Sequence, residues 1–201
     1  MFLPKLREIK EALASFFTSP YTTKFPAGEY TPHKNFRGFP HYHEEDCIGC
    51  GACSEVCPAQ AITYEDNREK GKRILTVNYA YCFMCGMCEE FCTTETGIQN
   101  ESDRYSFSTP KNKDEANVDS VEKELVFCES CGDVIACRDH ISFTRERLGT
   151  KAFTHPTLML DYQREFTDLP KSFMKDKLRR EDYMKEVCAK CRHKIVVEDE
   201  L

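Results

Sequence analysis

Two runs of sequence decide the fold of this chain: Cys47-Ile48-Gly49-Cys50-Gly51-Ala52-Cys53 followed by Cys57, and Cys82-Phe83-Met84-Cys85-Gly86-Met87-Cys88 followed by Cys92. The second run repeats the first after 35 residues. Both have the spacing C-x2-C-x2-C-x3-C, which puts three thiolates on one tight loop and a fourth on a short helix pointing away from that loop. The repeat therefore predicts two equivalent metal-binding halves.

This spacing predicts two [4Fe–4S] clusters with crossed ligation, because the fourth cysteine of each run reaches the cluster of the other run. We expect the first cluster to be bound by Cys47, Cys50, Cys53 and Cys92, and the second by Cys82, Cys85, Cys88 and Cys57. Zinc is the alternative, but structural zinc sites do not need the triplet spacing. Every iron then has a thiolate ligand, so we expect electron relay and no catalytic residue.

The two runs differ in one respect. Pro58 follows Cys57, whereas Thr93 follows Cys92, and the segment from Cys92 to Ile98 is one residue longer than its counterpart. We expect the Cys92 thiolate to bind regardless, and the turn that proline imposes to be lost.

A further set of cysteines forms two C-x2-C pairs, Cys128 with Cys131 and Cys188 with Cys191. Four thiolates in two knuckles suit tetrahedral zinc and also rubredoxin-type iron. The 56 residues between the pairs exceed the spacing of compact zinc sites, so reduced, unliganded thiols are the alternative. Cys137 is predicted to be a small buried hydrophobic residue, although it or His193 could replace a ligand.

The chain as a whole is predicted to be an α+β protein with four segments. Residues 1–46 are expected to form an amphipathic helix, within 2–19, followed by an extended arm. Residues 47–99 are expected to form a bacterial-type two-cluster ferredoxin domain, and residues 100–120 a polar linker. Residues 121–201 are expected to form a zinc-ribbon-like or rubredoxin-like knuckle unit. Short strands are expected at 61–64 and 73–77, and helices from 139 to 149 and within 171–187.

Composition limits the classes of function. Thirteen cysteines in close sets, with no continuous apolar run at the N-terminus, predict bound metal in a reducing compartment and argue against secreted disulfides. No stretch approaches the roughly 18 apolar residues of a membrane span. A net charge of −6 without a basic block argues against nucleic acid as a partner.

A resemblance sharpens these expectations. The run Lys34-Asn35-Phe36-Arg37-Gly38, the first cysteine run with Cys57-Pro58, and the C-terminal knuckles together resemble the small iron–sulfur subunit of formate hydrogenlyase and related group 4 membrane-bound [NiFe] hydrogenases, itself related to subunit I of respiratory complex I. The resemblance implies a peripheral subunit on the cytoplasmic face of the membrane. It would carry electrons from a donor subunit to the small hydrogenase subunit.

The amphipathic N-terminus agrees with this, because an apolar helical face needs a membrane surface, a partner or the chain's own core to cover it. Three other interpretations stay open: the equivalent subunit of a complex I-like quinone-reducing oxidoreductase, a free soluble ferredoxin, and a metal-stabilised interaction module with the clusters as scaffold. Subunit I of complex I shares the two clusters but does not lead us to expect the knuckles.

Overall fold

The structure, a computed structural model, describes residues 5–20, 22, 28, 31–103, 117–167 and 180–197. The chain divides into two compact units, Met1–Phe36 and Arg37–Leu201. The first unit contains helix α1, Leu6–Phe17, whose start is capped by a hydrogen bond from the Lys5 N–H to the Glu8 carboxylate at 3.1 Å. None of the residues of α1 is buried, including its apolar side chains. The predicted amphipathic helix is therefore present, with its apolar face exposed.

The second unit mixes short helices with antiparallel strands, as the sequence predicts. In chain order it contains β1 (Phe39–Tyr42), α2 (Ala52–Glu55), β2 (Ile62–Asn67), β3 (Lys72–Asn78), α3 (Met87–Glu90), β4 (Ile98–Glu101), β5 (Val118–Phe127), β6 (Val134–Cys137), α4 (Arg138–Leu148), α5 (Pro156–Phe166) and α6 (Ala189–Val197). Two 3-10 turns, Gly149–Thr154 and Arg180–Met184, connect the C-terminal helices.

The strands form two antiparallel sheets. β1 pairs with β4, and the second sheet has the order β2-β3-β5-β6. β5 lies alongside the full length of β3, with Leu75 opposite Val121. Because β3 belongs to the cysteine repeat and β5 leads to the C-terminal knuckles, one sheet joins the two regions.

The predicted elements agree with this structure at several points. β2 and β3 cover the two predicted strands, and α4 with its C-cap Gly149 covers the helix predicted from 139 to 149. Of the helix predicted within 171–187, residues 171–179 lie outside the described residues, and Arg180–Met184 is a 3-10 turn. Residues 104–116 of the predicted linker also lie outside the described residues, and β5 begins at Val118.

Six of the thirteen cysteines are buried in the core, and Cys131 is exposed. One buried cluster combines Cys47, Cys53 and Cys88 with strand residues such as Leu75 and Val77. Another combines Cys128 and Cys191 with Val187 and Ile195. These buried thiols lie where side chains of β strands and helices exclude water, as expected for a fold whose core is completed by metal.

Candidate metal centres

The structure brings together the four cysteines predicted to bind the first cluster. Cys47, Cys50, Cys53 and Cys92 line one cavity, together with Ile48, Leu75, Ile98 and Thr93. Three of the thiols come from the first run and the fourth comes from the second run, as crossed ligation requires.

A second cavity has the complementary set. It is lined by Cys57, Cys82, Cys85 and Cys88, together with Ile62, Phe83, Met84 and Asn100. Here three thiols come from the second run and Cys57 comes from the first. Sets of four thiols around separate cavities fit two [4Fe–4S] clusters, each with all four irons ligated.

The two halves of the repeat also share their backbone conformation. Gly51 and Gly86 have φ of +80° and +85° and precede α2 and α3. Two residues earlier in each run, Gly49 and Met84 have φ of +68° and +56°. A left-handed conformation at Met84 is unfavourable for a residue with a side chain, so the shape of the loop, and not residue preference alone, determines the backbone at this position.

Burial controls the ionisation of the thiols. It raises the pKa of Cys53 and of Cys88 to about 12, with further contributions from neighbouring thiolates. Cys53 and Cys88 line different cavities but belong to one buried cluster, and ionisation of Cys53 would raise the pKa of Cys88, so the two sites are neighbours. Iron must therefore displace protons from these thiols, which couples cluster binding to folding and to pH.

Hydrogen-bond donors surround the sulfur atoms. The N–H groups of Ala61 and Met84 donate to Cys57 Sγ at 3.3 Å and Cys82 Sγ at 3.4 Å. Donors of this kind favour the more negative, reduced state of a cluster.

The turn after Cys92 is retained, so the expectation that it would be lost without proline is wrong. The Glu95 N–H donates to the Cys92 carbonyl at 3.1 Å, just as the Gln60 N–H donates to the Cys57 carbonyl at 3.1 Å. Glu95 and Gln60 both have positive φ. Thr93 replaces the proline and places its hydroxyl 3.3 Å from Cys50 Sγ.

Basic side chains support the loops that carry the ligands. The Arg73 guanidinium donates one hydrogen bond to the Asp66 carboxylate at 2.7 Å and another to the Gly49 carbonyl at 3.0 Å. Arg37 donates to the Cys85 carbonyl at 2.5 Å, which gives a structural role to one residue of the Phe36-Arg37-Gly38 run. Buried Lys123, on β5, donates to the Glu44 carbonyl and to Asp139. The sequence did not indicate Arg73 or Lys123, because their contacts depend on the pairing of distant strands.

The C-terminal cysteines form a third candidate centre. The Sγ atoms of Cys128, Cys131, Cys188 and Cys191 all lie within 4.8 Å of one another. Cys128 and Cys131 lie on a turn after β5, where the Gly132 N–H donates to the Cys128 carbonyl at 3.0 Å, and Cys191 lies on α6. A hydrogen bond from the Glu129 N–H to the Glu186 carbonyl at 2.8 Å ties the two knuckles together. Four converging thiols fit one tetrahedral metal ion.

One of these four thiols, that of Cys128, has a lowered pKa. Burial opposes ionisation of Cys128, but the N–H groups of Cys131, Cys188 and Ser130 donate to its sulfur and lower its pKa to about 7. The Cys188 N–H lies 3.3 Å from that sulfur. Because the thiolate is the form that binds metal, Cys128 can provide a first ligand near neutral pH.

Cys137 and His193 do not belong to the set of four converging thiols. Cys137 is fully buried at the end of β6, where its thiol donates to the Gly49 carbonyl at 3.3 Å. His193 is exposed on α6. Cys137 is thus the buried small residue that the sequence predicts, and it contacts the loop of the first run.

Among the described residues, no helix has the length and apolar character needed to cross a bilayer.

The similarity of the two cysteine runs to a known protein family bears on the cofactor that they bind. Residues 46–96 match the 4Fe-4S dicluster domain family, which confirms the predicted iron–sulfur cofactor. The individual ligands and the metal of the C-terminal centre stay predictions.

Three curated proteins show what the chain is similar to. It is 33% identical over 107 residues to NAD(P)H-quinone oxidoreductase subunit I of Gloeobacter violaceus, covering 51% of this chain and 50% of that protein. It is 30% identical over 103 residues to NADH-quinone oxidoreductase subunit I 2 of Geobacter metallireducens, covering 47% of this chain and 79% of that protein. It is 38% identical over 55 residues to formate hydrogenlyase subunit 6 of Escherichia coli, covering 27% of this chain and 31% of that protein. The chain therefore spans half of the first relative and a larger part of the second.

Proposed function

We propose that this chain relays electrons inside a membrane-associated complex of the formate hydrogenlyase type. It belongs to the family of two-cluster iron–sulfur subunits that includes NADH-quinone oxidoreductase subunit I. The observation that carries the proposal is the pair of neighbouring cavities, each lined by four cysteines with one contributed by the other run. In this arrangement the first cluster is held by Cys47, Cys50, Cys53 and Cys92, and the second by Cys82, Cys85, Cys88 and Cys57. No iron is left open for a substrate, so the clusters act as a conduit.

The surface over the second cluster is suited to a redox partner. Four apolar side chains in or next to the second run, Tyr81, Phe83, Met87 and Phe91, are 43%, 59%, 38% and 52% exposed, and Phe83 also lines the cavity of the second cysteine set. We call these four residues the Phe83 patch. At the position equivalent to Phe83, the first run has Ile48, which is 8% exposed. Because electron transfer requires close approach to a cluster, and exposed apolar patches mark protein interfaces, the neighbouring subunit binds at this patch.

The C-terminal centre has a structural role in this proposal. A closed set of four thiolates leaves no coordination position for a substrate, which is typical of structural zinc. Zinc is favoured over rubredoxin-type iron here. The metal stabilises the knuckle unit, whose Cys137 contacts the loop of the first cluster.

Helix α1 provides a second contact surface. Leu6, Leu13, Phe16 and Phe17 are all at least 60% exposed. An amphipathic helix of this kind binds a membrane surface or a neighbouring subunit. We place the chain on the cytoplasmic face of the membrane, between an electron-donor subunit and the small hydrogenase subunit.

A second candidate is the equivalent subunit of a quinone-reducing complex. The matches to the two quinone oxidoreductase subunits extend over 107 and 103 residues, about twice the 55 residues of the match to the formate hydrogenlyase subunit. The knuckles are the feature that favours the hydrogenase type.

Affinity purification from native membranes, followed by mass spectrometry, tests the proposal. Co-purification of a [NiFe] hydrogenase large subunit supports the first candidate, and co-purification of quinone-reductase subunits supports the second. Migration of the native protein as a monomer in gel filtration would contradict both and favour a free ferredoxin.

A further inference from the structure

One strand provides a wall to both cluster cavities. On β4, Ile98 lines the cavity of the first cysteine set and Asn100 lines that of the second. Residues two apart on a strand share a face, so β4 presents an aliphatic group to one site and an amide to the other.

The amide of Asn100 lacks a protein partner. Its Nδ2 and Oδ1 atoms are both buried, and neither forms a hydrogen bond with any described residue. Buried polar groups in native proteins are nearly always hydrogen-bonded. An unpaired amide in the wall of a cofactor cavity therefore points to the cofactor as its partner.

Comparison of the two halves of the internal repeat shows that only the second half has an amide at this position. Counted from the last cysteine of each run, with the one-residue insertion after Cys92, Asn100 is the counterpart of Tyr64. A Cβ on Gly86 would lie 3.5 Å from Asn100 Nδ2 and 3.4 Å from the Arg37 guanidinium, whereas a Cβ on Gly51 would meet the Tyr64 ring at 3.3 Å. The corresponding loops are thus backed by polar donors in the second half and by an aromatic ring in the first.

We propose that the Asn100 side-chain N–H donates a hydrogen bond to a sulfur atom of the second cluster and raises the reduction potential of that cluster. The inference rests on the proposed ligand set of Cys57, Cys82, Cys85 and Cys88. Reduction adds negative charge to the cluster, and an N–H donor stabilises that charge. Ile98 provides no such donor to the first cluster. Asn100 is therefore a tuning residue that makes the potentials of the two clusters differ.

Redox titration of the purified full chain, followed by EPR, tests this with Asn100→Leu. We expect iron content and the number of reduced clusters to be unchanged, one midpoint potential to fall, and the other to stay at its wild-type value. The matched control is Gln99→Leu, the same kind of change on the opposite face of β4, which should shift neither potential. Asn100→Ser keeps a short donor and should recover part of the shift. Unchanged midpoints in Asn100→Leu, or an equal fall in both, would overturn the proposal.

A second measurement needs no substitution. Asn100 is the only asparagine among the described residues that line either cavity. In wild-type protein labelled with ¹⁵N at asparagine side-chain amides, pulsed EPR should detect nitrogen coupling to one reduced cluster, and absence of coupling would overturn the proposal even if Asn100→Leu fails to assemble. Iron content and the cluster count report separately on the proposed ligand sets, on which the inference rests.

Discussion

The thiol of Cys137 donates a hydrogen bond to the Gly49 carbonyl oxygen at 3.3 Å. Arg73 donates to the same oxygen at 3.0 Å. Gly49 lies in the loop of the first cysteine run, and Cys137 ends β6 in the C-terminal region, 88 residues away. The C-terminal region therefore supports the loop that would hold the first cluster, and a substitution that disrupts the contact between Cys137 and Gly49 should affect that loop.

Substitution of Gly49 by Ala should disrupt the first cluster. A Cβ at this position would lie 2.6 Å from Cys137 Sγ and 3.0 Å from the Lys123 Cβ, and the residue has φ of +68°. We expect a lower melting temperature and loss of about half of the iron, measured by calorimetry and by iron analysis. Gly71→Ala is the matched control, because Gly71 has φ of +67° but its Cβ would meet only Phe127 at 3.8 Å. That control should show only the backbone cost, about 1–2 kcal/mol.

A double substitution isolates the clash. Cys137→Ala removes the sulfur atom that the new Cβ would meet, so it should restore part of the iron content and stability of Gly49→Ala. If the double variant is no better than the single one, the contact between Cys137 and Gly49 does not limit the loop.

Metal analysis should find about eight irons and about one zinc per chain. Cys188→Ser removes one of the four converging thiols, and we expect loss of zinc, a lower melting temperature and retained iron–sulfur EPR signals. The control is His193→Ala, a substitution at an exposed position on α6 close to Cys191, which should keep the zinc. A ninth iron with a rubredoxin-like spectrum would reverse the assignment of the metal, and wild-type protein without metal at this site would rule out the centre.

The sequence predicted which cysteines line each of the two cavities, because cysteine spacing encodes local geometry. Each run places its own thiols through backbone turns, and the turn at Glu95 forms even without proline. Contacts between strands far apart in sequence had no such signal. Asn100 looked like the first residue of a polar linker, and its position in a cavity wall becomes visible only once β4 pairs with β1. The role of Cys137 likewise depends on β5 and β6 packing beside the first run.

Acidification should destabilise the folded chain through His140. Burial, and then the nearby positive charge of Arg73, lower the pKa of His140 in the folded state. Below the ordinary histidine value of about 6.5, the unfolded chain takes up a proton that the folded chain resists, so stability falls as pH decreases. His140→Gln should therefore show a smaller drop in melting temperature between about pH 7 and 5.5 than the wild type. Equal drops in the wild type and in His140→Gln would contradict the assignment.

Lys123 should influence both stability and the first cluster. Its side chain is 9% exposed and pairs with Asp139 at 2.9 Å. Lys123→Met keeps the length of the side chain but removes the charge and the hydrogen bond to Glu44, which should cost about 1–3 kcal/mol. Loss of a positive charge beside the Cys47 loop should also lower the reduction potential of the first cluster. Lys72→Met, which breaks an exposed pair with Glu122 at 2.7 Å, should change neither quantity; equal effects of the two substitutions would contradict the role of Lys123.

The Phe83 patch can be tested by the rate of electron exchange within the native complex. Phe91, another residue of the patch, is 52% exposed and lines neither cluster cavity, so Phe91→Ser should leave folding and iron content intact. If the partner binds over the second cluster, loss of the ring weakens docking, and the yield of co-purified complex and the rate of cluster reduction by the donor both fall. The midpoint potentials should stay unchanged, which separates docking from tuning of the clusters. Phe153→Ser is the matched control, since that ring is 53% exposed in the C-terminal region. Equal losses for both variants would show that the partner does not distinguish the patch from other exposed aromatic surface.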